Sequence, residues 1–178
     1  IPVFVDVLPD QNIDPAKIEA AITKKTKAIM PVHLTGRMCE MGPIMDIARK
    51  FDVYVVEDAA QAIGSRYYEK FSGSIGHIGC FSTHPLKNLN ACGDGGILVT
   101  NDIKVFEKVK TLRNHGHLDR NTVVEFGFVS RMDNIQAAIL NYRLEKLDFI
   151  INQRRLNASR YLNGLNRTEI FIPEEKDY

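Results

Sequence analysis

The stretch Val53-Tyr-Val-Val-Glu-Asp-Ala-Ala-Gln61 decides the fold, because a short apolar run ends there on two adjacent carboxylates. A run of β-branched and aromatic residues that closes on an acid predicts a buried parallel strand over Val53 to Val56. In open α/β sheets, ligands bind at the carboxyl edge of such strands. Asp58 is therefore predicted to lie at a ligand-binding edge.

A second segment, Phe81-Ser-Thr-His-Pro-Leu-Lys-Asn-Leu89, carries Lys87 among apolar neighbours. Apolar surroundings favour the neutral amine of a lysine, which is its nucleophilic form. Pyridoxal phosphate requires both kinds of group, since a lysine binds its aldehyde and an acid keeps its pyridine nitrogen protonated. Lys87 and Asp58 are thus candidate catalytic and cofactor-binding residues. The alternatives are a surface lysine after a turn and an aspartate that caps a loop.

Both segments, with the glycine turn Gly93-Asp-Gly-Gly96 behind them, resemble the sugar-nucleotide aminotransferases of the DegT/DnrJ/EryC1/StrS group. The resemblance extends upstream to Thr26-Lys-Ala-Ile-Met-Pro-Val-His-Leu34 and downstream to Arg131-Met-Asp-Asn-Ile-Gln-Ala-Ala138. It covers roughly residues 1 to 160 in the family's order, which a coincidence in one motif does not produce. It implies an α/β fold of the aspartate-aminotransferase kind (fold type I), with a mostly parallel sheet flanked by helices.

The resemblance also implies a pyridoxal-phosphate-dependent aminotransferase. An amino acid, expected to be glutamate, would give its nitrogen to the cofactor, and a nucleotide-linked keto-sugar would then receive it. Lys87 would bind the cofactor and shuttle protons, and Asp58 would contact the pyridine nitrogen. Gln61 would bond the phenolic oxygen, Ser82 would bind the phosphate, and His84 would shape the pocket. Such enzymes serve nucleotide-sugar biosynthesis for cell-surface polysaccharide.

Two departures from the family pattern affect what this chain contains. Val129 stands where many relatives carry an Asn that reaches the phosphate in the neighbouring subunit of a homodimer. The sequence opens on Ile1, inside a predicted strand from Val3 to Val7, without the amino-terminal portion that supplies part of the phosphate cradle. We therefore expect an internal fragment of a larger protein. The alternatives are a sugar dehydratase, in which His replaces the lysine, and a non-catalytic fragment that lacks a complete cofactor site.

Composition and spacing argue against other classes of function. Twenty-three basic and 22 acidic residues leave a net charge of +1, which gives no support to a nucleic-acid or membrane-surface partner. No apolar run reaches transmembrane length, and three widely spaced cysteines predict a reducing cytoplasm rather than disulfides. Around His115-Gly-His117, no Cys/His set has zinc-site spacing, so no metal is expected. A nicotinamide oxidoreductase is not favoured either, because no glycine-rich segment follows a strand and opens a helix.

The rest of the chain alternates predicted strands with predicted helices. Asp14 and Pro15 predict a helix start, and Asp133 is predicted to cap one long helix that runs toward Tyr161. Its apolar stripe is expected to contain Ile135, Ala138, Ile139, Tyr142 and Leu147. Further helices are predicted over 43–51 and 103–113, and further strands over 26–32, 80–82 and 97–100. The role of His33 stays open. We expect a partial cofactor-binding domain over residues 1–160 and the start of a small domain over 161–178.

Overall fold

The computed structural model describes residues 1–165, 169–172, 174, 176 and 178. The helices are α1 (Pro15–Ala21), α2 (Met41–Phe51), α3 (Ile103–Leu112), α4 (Asn134–Leu144) and α5 (Leu147–Gly164). The strands are β1 (Ala28–Ile29), β2 (Tyr54–Asp58), β3 (Arg66–Tyr67), β4 (Lys70–Phe71), β5 (Ile78–Ser82) and β6 (Gly96–Val99). A short 3₁₀ turn covers Leu34–Gly36. No helix of these residues is long and apolar enough to cross a membrane.

Four strands form the central sheet in the order β1-β2-β5-β6. β2 pairs in parallel with β1 on one side and with β5 on the other, whereas β6 adds to β5 antiparallel. β3 and β4 form a separate antiparallel hairpin. The predicted α/β architecture with a mostly parallel sheet is therefore confirmed, and the carboxyl ends of β2 and β5 meet at one edge.

The main hydrophobic core lies between the sheet and the first two helices. Ile18 of α1, Ile44 of α2 and Val55 of β2 all belong to this buried cluster. As predicted, Asp14 caps α1, accepting a hydrogen bond from the backbone N–H of Ala16 at 2.9 Å, with Pro15 in the first turn. Because α1 and α2 cover this side, every second residue of β2 is buried on it.

A second, smaller cluster connects α4 and α5 to the loops that follow β2 and β5. Leu140 and Leu147 from the two helices pack with Leu89 and Ala91, and Ile63 lies against them. Gly64 allows this contact, because a Cβ atom there would come within 2.4 Å of Ile151 on α5. The two helices therefore flank the segments that the sequence associates with the site.

The predicted first strand over Val3 to Val7 is wrong. These residues form no strand, and only Val7 makes an isolated antiparallel bridge, to Ile13. The chain folds back locally instead, since the N–H of Leu8 donates to the Asn12 carbonyl at 2.8 Å. Phe4, 92% exposed, does not join the core.

The single long helix after Asp133 is also wrong, because the chain breaks at Glu145–Lys146 into α4 and α5. Asp133 stands at the N-cap of α4, but its side chain makes no capping hydrogen bond. The expected apolar stripe is only partly buried: Leu147 is buried, whereas Ile135 and Tyr142 are exposed. Leu140, which the stripe omitted, is the buried residue of α4.

Other strands and helices begin or end a few residues from their predicted boundaries. The predicted strand over 26–32 shortens to β1, because Pro31 has no N–H to donate to a ladder. Val32 still bridges Asp58 in parallel, so the chain continues alongside β2. The division into a domain over 1–160 and a second one over 161–178 stays a prediction; of the latter segment, residues 166–168, 173, 175 and 177 lie outside the described part.

Candidate active site

Asp58 is the last residue of β2 and lies opposite Cys80 of β5 in the strand register. Since side chains alternate along a strand, Asp58, Cys80 and Ser82 share one face of the sheet. Burial, together with the charge of Asp58, raises the pKa of the Cys80 thiol, in keeping with the closeness of the two side chains. The sheet thus brings together the predicted carboxylate and the predicted phosphate-binding hydroxyl.

Both backbone polar groups of Asp58 are hydrogen-bonded to the segment that follows β1. Its N–H donates to the carbonyl of Pro31 at 2.9 Å, and its carbonyl accepts from the N–H of His33 at 3.0 Å. The carboxylate itself is half-buried and accepts one hydrogen bond, from the N–H of Ala60 at 3.0 Å. Most of its capacity to accept hydrogen bonds therefore stays free within the described chain.

Lys87 lies in the turn after β5, where its N–H donates to the carbonyl of His84 at 2.9 Å. The side chain is half-buried, makes no ion pair with the described residues, and lines a cavity of about 630 Å³. Gln61, three positions after Asp58 along the chain, lines the same cavity. The segments that leave β2 and β5 therefore meet in one cleft at the carboxyl edge of the sheet.

The charged side chains of the described residues that line the cavity are all basic: Arg37, Arg66, Lys87, Arg154, Arg155 and Lys176. Two of them have carboxylate partners outside the lining: Lys176 pairs with Glu40 and Asp10, and Arg66 with Glu69. Low-dielectric walls with charge of one sign concentrate ligands of the opposite sign. A ligand that carries phosphate groups suits this lining.

The other two predicted site residues form a tight turn just outside the cavity lining. Ser82 Oγ accepts a hydrogen bond from the N–H of His84 at 3.2 Å, and the exposed His84 ring accepts from the N–H of Leu86. Thr83 between them is fully buried, and its hydroxyl has no hydrogen-bond partner in the described part of the chain. Asp58, Ser82 and His84 do not line the cavity that Lys87 and Gln61 line.

The glycine turn lies directly behind this segment. Thr83 donates its N–H to the carbonyl of Gly95 at 2.9 Å. A Cβ atom on Gly95 would come within 2.5 Å of the Thr83 hydroxyl oxygen, and one on Gly96 within 3.0 Å of the Phe81 carbonyl. Glycine at these two positions therefore lets the turn pack closely against the segment that carries Lys87.

The most completely buried polar pair was not assigned a role from the sequence. His33 and Glu57 are both 0% exposed, and His33 Nε2 lies 2.9 Å from Glu57 Oε2. The signal was present in β2, because alternation puts Glu57 on the same buried face as Val55, and a buried acid requires partners. Among the described residues, no three His, Cys, Asp or Glu side chains are grouped to hold a metal ion.

Comparison with known proteins identifies the family. The family model for DegT/DnrJ/EryC1/StrS aminotransferases matches residues 1–177. This chain belongs to that family, and the predicted resemblance is confirmed. The chain spans about half the length of the curated relatives it matches.

One relative, UDP-N-acetyl-3-dehydro-alpha-D-glucosamine 3-aminotransferase of Acidithiobacillus ferrooxidans, is 44% identical over 97% of this chain and 47% of its own length. A DegT/DnrJ/EryC1/StrS aminotransferase from Brucella abortus has a TM-score of 0.94 at 35% identity, over 99% of this chain and 49% of that one. NtdA from Bacillus subtilis, solved with bound PMP cofactor, has a TM-score of 0.83 at 38% identity, over 92% of this chain and 38% of that one. The fold is fold type I, as expected.

Proposed function

We propose that the full-length protein is a pyridoxal-phosphate-dependent aminotransferase that moves an amino group from an amino acid, glutamate in our proposal, to a nucleotide-linked keto-sugar. The observation that carries this proposal is the cleft at the carboxyl edge of the sheet, where the segments after β2 and β5 bring Gln61 and Lys87 together. The sugar-nucleotide aminotransferase among the relatives supports the reaction, and the cofactor bound to NtdA supports pyridoxal phosphate.

The groups at this edge fit the cofactor chemically. Lys87 offers an amine that no described carboxylate pairs with, and Asp58 offers a carboxylate with free acceptor capacity. Ser82 offers a hydroxyl on the face that Asp58 shares. The basic lining of the cavity suits the phosphates of a cofactor and of a sugar nucleotide.

Each residue has a distinct task in this mechanism. When bound, pyridoxal phosphate supplies an electron sink and a carrier for the amino group. Lys87 would hold the cofactor through its amine, and the freed amine would move a proton to or from the substrate carbon. Asp58 holds the proton on the pyridine nitrogen, because its negative charge stabilises the positive ring. Gln61 would orient the phenolic oxygen and Ser82 would donate to the phosphate, while His84 would shape the pocket from outside the cavity lining.

We further propose that the protein acts as a cytoplasmic homodimer in nucleotide-sugar biosynthesis for cell-surface polysaccharide. Exposed aromatic side chains support an association surface: Phe126 and Phe128 both project from the segment before α4. Large apolar side chains exposed close together along one segment favour a partner. Light scattering of the full-length protein should give twice the monomer mass, and a monomeric mass at working concentration would contradict the dimer.

The decisive experiment for the enzymatic proposal is chemical labelling. Pyridoxal phosphate added to the full-length protein, followed by borohydride and peptide mapping, should modify Lys87. Lys87→Arg should abolish the label, while the matched control Lys104→Arg, at an exposed lysine on α3, should keep it. Label on a different lysine, or no label at all, would overturn the assignment.

A further inference from the structure

The proposed mechanism leaves one buried pair of polar side chains without a task. Glu57 precedes Asp58 in β2 and points to the opposite face of the sheet, into the core. Its carboxylate accepts four hydrogen bonds, from the N–H groups of Gly73 (2.8 Å), Ile75 (2.7 Å) and Gly76 (2.5 Å) and from His33 Nε2 (2.9 Å). Burial raises the pKa of Glu57, but these four donors outweigh it and hold the pKa below its usual range. The carboxylate is therefore charged and fully satisfied.

His33 has its second nitrogen engaged as well. The N–H of Cys39 donates to His33 Nδ1 at 3.2 Å, which puts the ring hydrogen on Nε2, facing Glu57. With both nitrogens bonded, the ring cannot turn or flip without losing a hydrogen bond in a fully buried position. The imidazole is thus a rigid link between the segment after β1 and the side chain of Glu57.

The backbone of the same histidine contacts Asp58 directly. Its N–H donates to the Asp58 carbonyl at 3.0 Å, while Pro31, two residues earlier, accepts from the Asp58 N–H at 2.9 Å. His33 is therefore hydrogen-bonded to two consecutive residues of β2, to Glu57 through its ring and to Asp58 through its backbone. The ring that contacts Glu57 and the peptide groups that hold the Asp58 backbone thus belong to one short segment, residues 31–33.

We propose that His33 and Glu57 are positioning residues that hold the Asp58 carboxylate in place at the carboxyl edge of the sheet. The inference rests on the proposed function, since it concerns how well Asp58 meets the cofactor. It goes beyond that function by assigning a task to two residues that face away from the cofactor. A displaced Asp58 carboxylate would make a weaker hydrogen bond to the cofactor's pyridine nitrogen, so the affinity for the cofactor should fall measurably.

A matched pair of variants separates the two hydrogen bonds of the ring. His33→Gln places an amide near the Nε2 position and keeps a donor for Glu57, whereas His33→Asn places one near Nδ1 and keeps only the acceptor for Cys39. We expect His33→Asn to raise the dissociation constant for pyridoxal phosphate about tenfold, as one lost hydrogen bond does, measured by equilibrium dialysis. His33→Gln should restore binding to within about threefold of wild type.

A double-mutant cycle with Asp58→Asn tests whether the effect passes through Asp58. In that background His33→Asn should change the dissociation constant less than about twofold, because the carboxylate to be positioned is gone. Equal losses in both backgrounds, or equal losses in the Gln and Asn variants, would overturn the inference. Circular dichroism at the dialysis temperature identifies folded variants. If His33→Asn is unfolded, Glu57→Gln takes its place in the same cycle, and unfolding of both variants counts against a positioning role.

The wild-type protein distinguishes failure of this inference from failure of the proposed function. Wild type that takes the borohydride label on Lys87, with a cycle that shows no coupling to Asp58, overturns the positioning role alone. Wild type that takes no label overturns both.

Discussion

The two faces of the sheet each carry a carboxylate from β2, and the two carboxylates differ in burial and in hydrogen bonding. On the core face, Glu57 is 0% exposed and accepts four hydrogen bonds from the chain. On the opposite face, Asp58 is half-buried and accepts one. The two carboxylates are neighbours in sequence, so the alternation of the strand alone separates them.

This contrast indicates how one short strand can serve both stability and chemistry. A carboxylate whose acceptor sites are all filled from within the chain has no capacity left for a ligand, and it ties loops to the strand. A carboxylate with free acceptor capacity at the carboxyl edge is available to bind one. The core face anchors β2 so that the other face can present Asp58 at a defined position.

The largest expected difference is in stability. Glu57→Ala should lower the free energy of unfolding by about 3–5 kcal/mol, because it leaves His33 and three N–H groups buried without an acceptor. Asp58→Ala should lower it by about 1 kcal/mol, since one hydrogen bond is lost. Urea unfolding of the two variants makes the comparison. Equal losses would show that the two faces do not differ as the hydrogen bonds indicate.

Asp58, the less important of the two carboxylates for stability, should be the more important one for activity. Asp58→Asn removes the charge that favours the protonated pyridine nitrogen by about 1–3 pKa units, so we expect the transamination rate to fall about 10- to 1,000-fold. The unfolding midpoint should stay near that of wild type, because the amide oxygen can still accept from the N–H of Ala60. Steady-state kinetics on the full-length protein checks this. Near-normal turnover would remove Asp58 from the mechanism.

A smaller effect concerns acid. The folded pKa of Glu57 is lowered: burial acts to raise it, but the hydrogen bonds from His33 and the N–H groups of residues 73, 75 and 76 prevail. A carboxylate with a lowered folded pKa stabilises the fold above its unfolded pKa and loses that contribution as the pH falls through the folded one. Wild type should therefore lose stability below about pH 4.5, the ordinary value for a glutamate.

The control for this acid effect is Glu57→Gln, which has no charge to lose. Its free energy of unfolding, measured by urea titration from pH 7 to pH 3, should fall less steeply than that of wild type. If the free energies of unfolding of wild type and Glu57→Gln fall in parallel with pH, other carboxylates cause the acid sensitivity.

The sequence predicted the elements whose signals are local. Asp14 and Pro15 start α1, α2 and α3 lie where their patterns put them, and the apolar run before Glu57 forms β2. The prediction of a strand over Val3 to Val7 was wrong because β-branched residues indicate an extended chain but do not specify a pairing partner. The break between α4 and α5 was missed because residues 145 and 146 carry no Pro or Gly to mark it.

For the candidate site, sequence motifs named residues but could not describe their surroundings. The motif containing Lys87 named the lysine as a candidate, while the other basic residues of the cavity come from distant parts of the chain: Arg37, Arg66, Arg154 and Arg155 of α5, and Lys176. The hydrogen bond between His33 and Glu57 depends on the chain after β1 running parallel to β2, which no local pattern encodes. Long-range pairs of this kind follow from topology.

The smallest predicted effect concerns Gln61, which is exposed and has its amide oxygen bound to the N–H of Thr35 at 2.7 Å. Its amide nitrogen has no partner among the described residues and is free to donate to the cofactor's phenolic oxygen. Gln61→Ala loses both interactions, whereas the matched variant Gln61→Glu keeps the acceptor for Thr35 and loses only the donor. Each should raise the dissociation constant for pyridoxal phosphate about two- to tenfold, as one hydrogen bond of about 0.5–1.5 kcal/mol implies. Wild-type affinity in Gln61→Glu, with weaker binding in Gln61→Ala, would show instead that Gln61 acts only by holding Thr35, whose φ of 56° lies in the strained left-handed region.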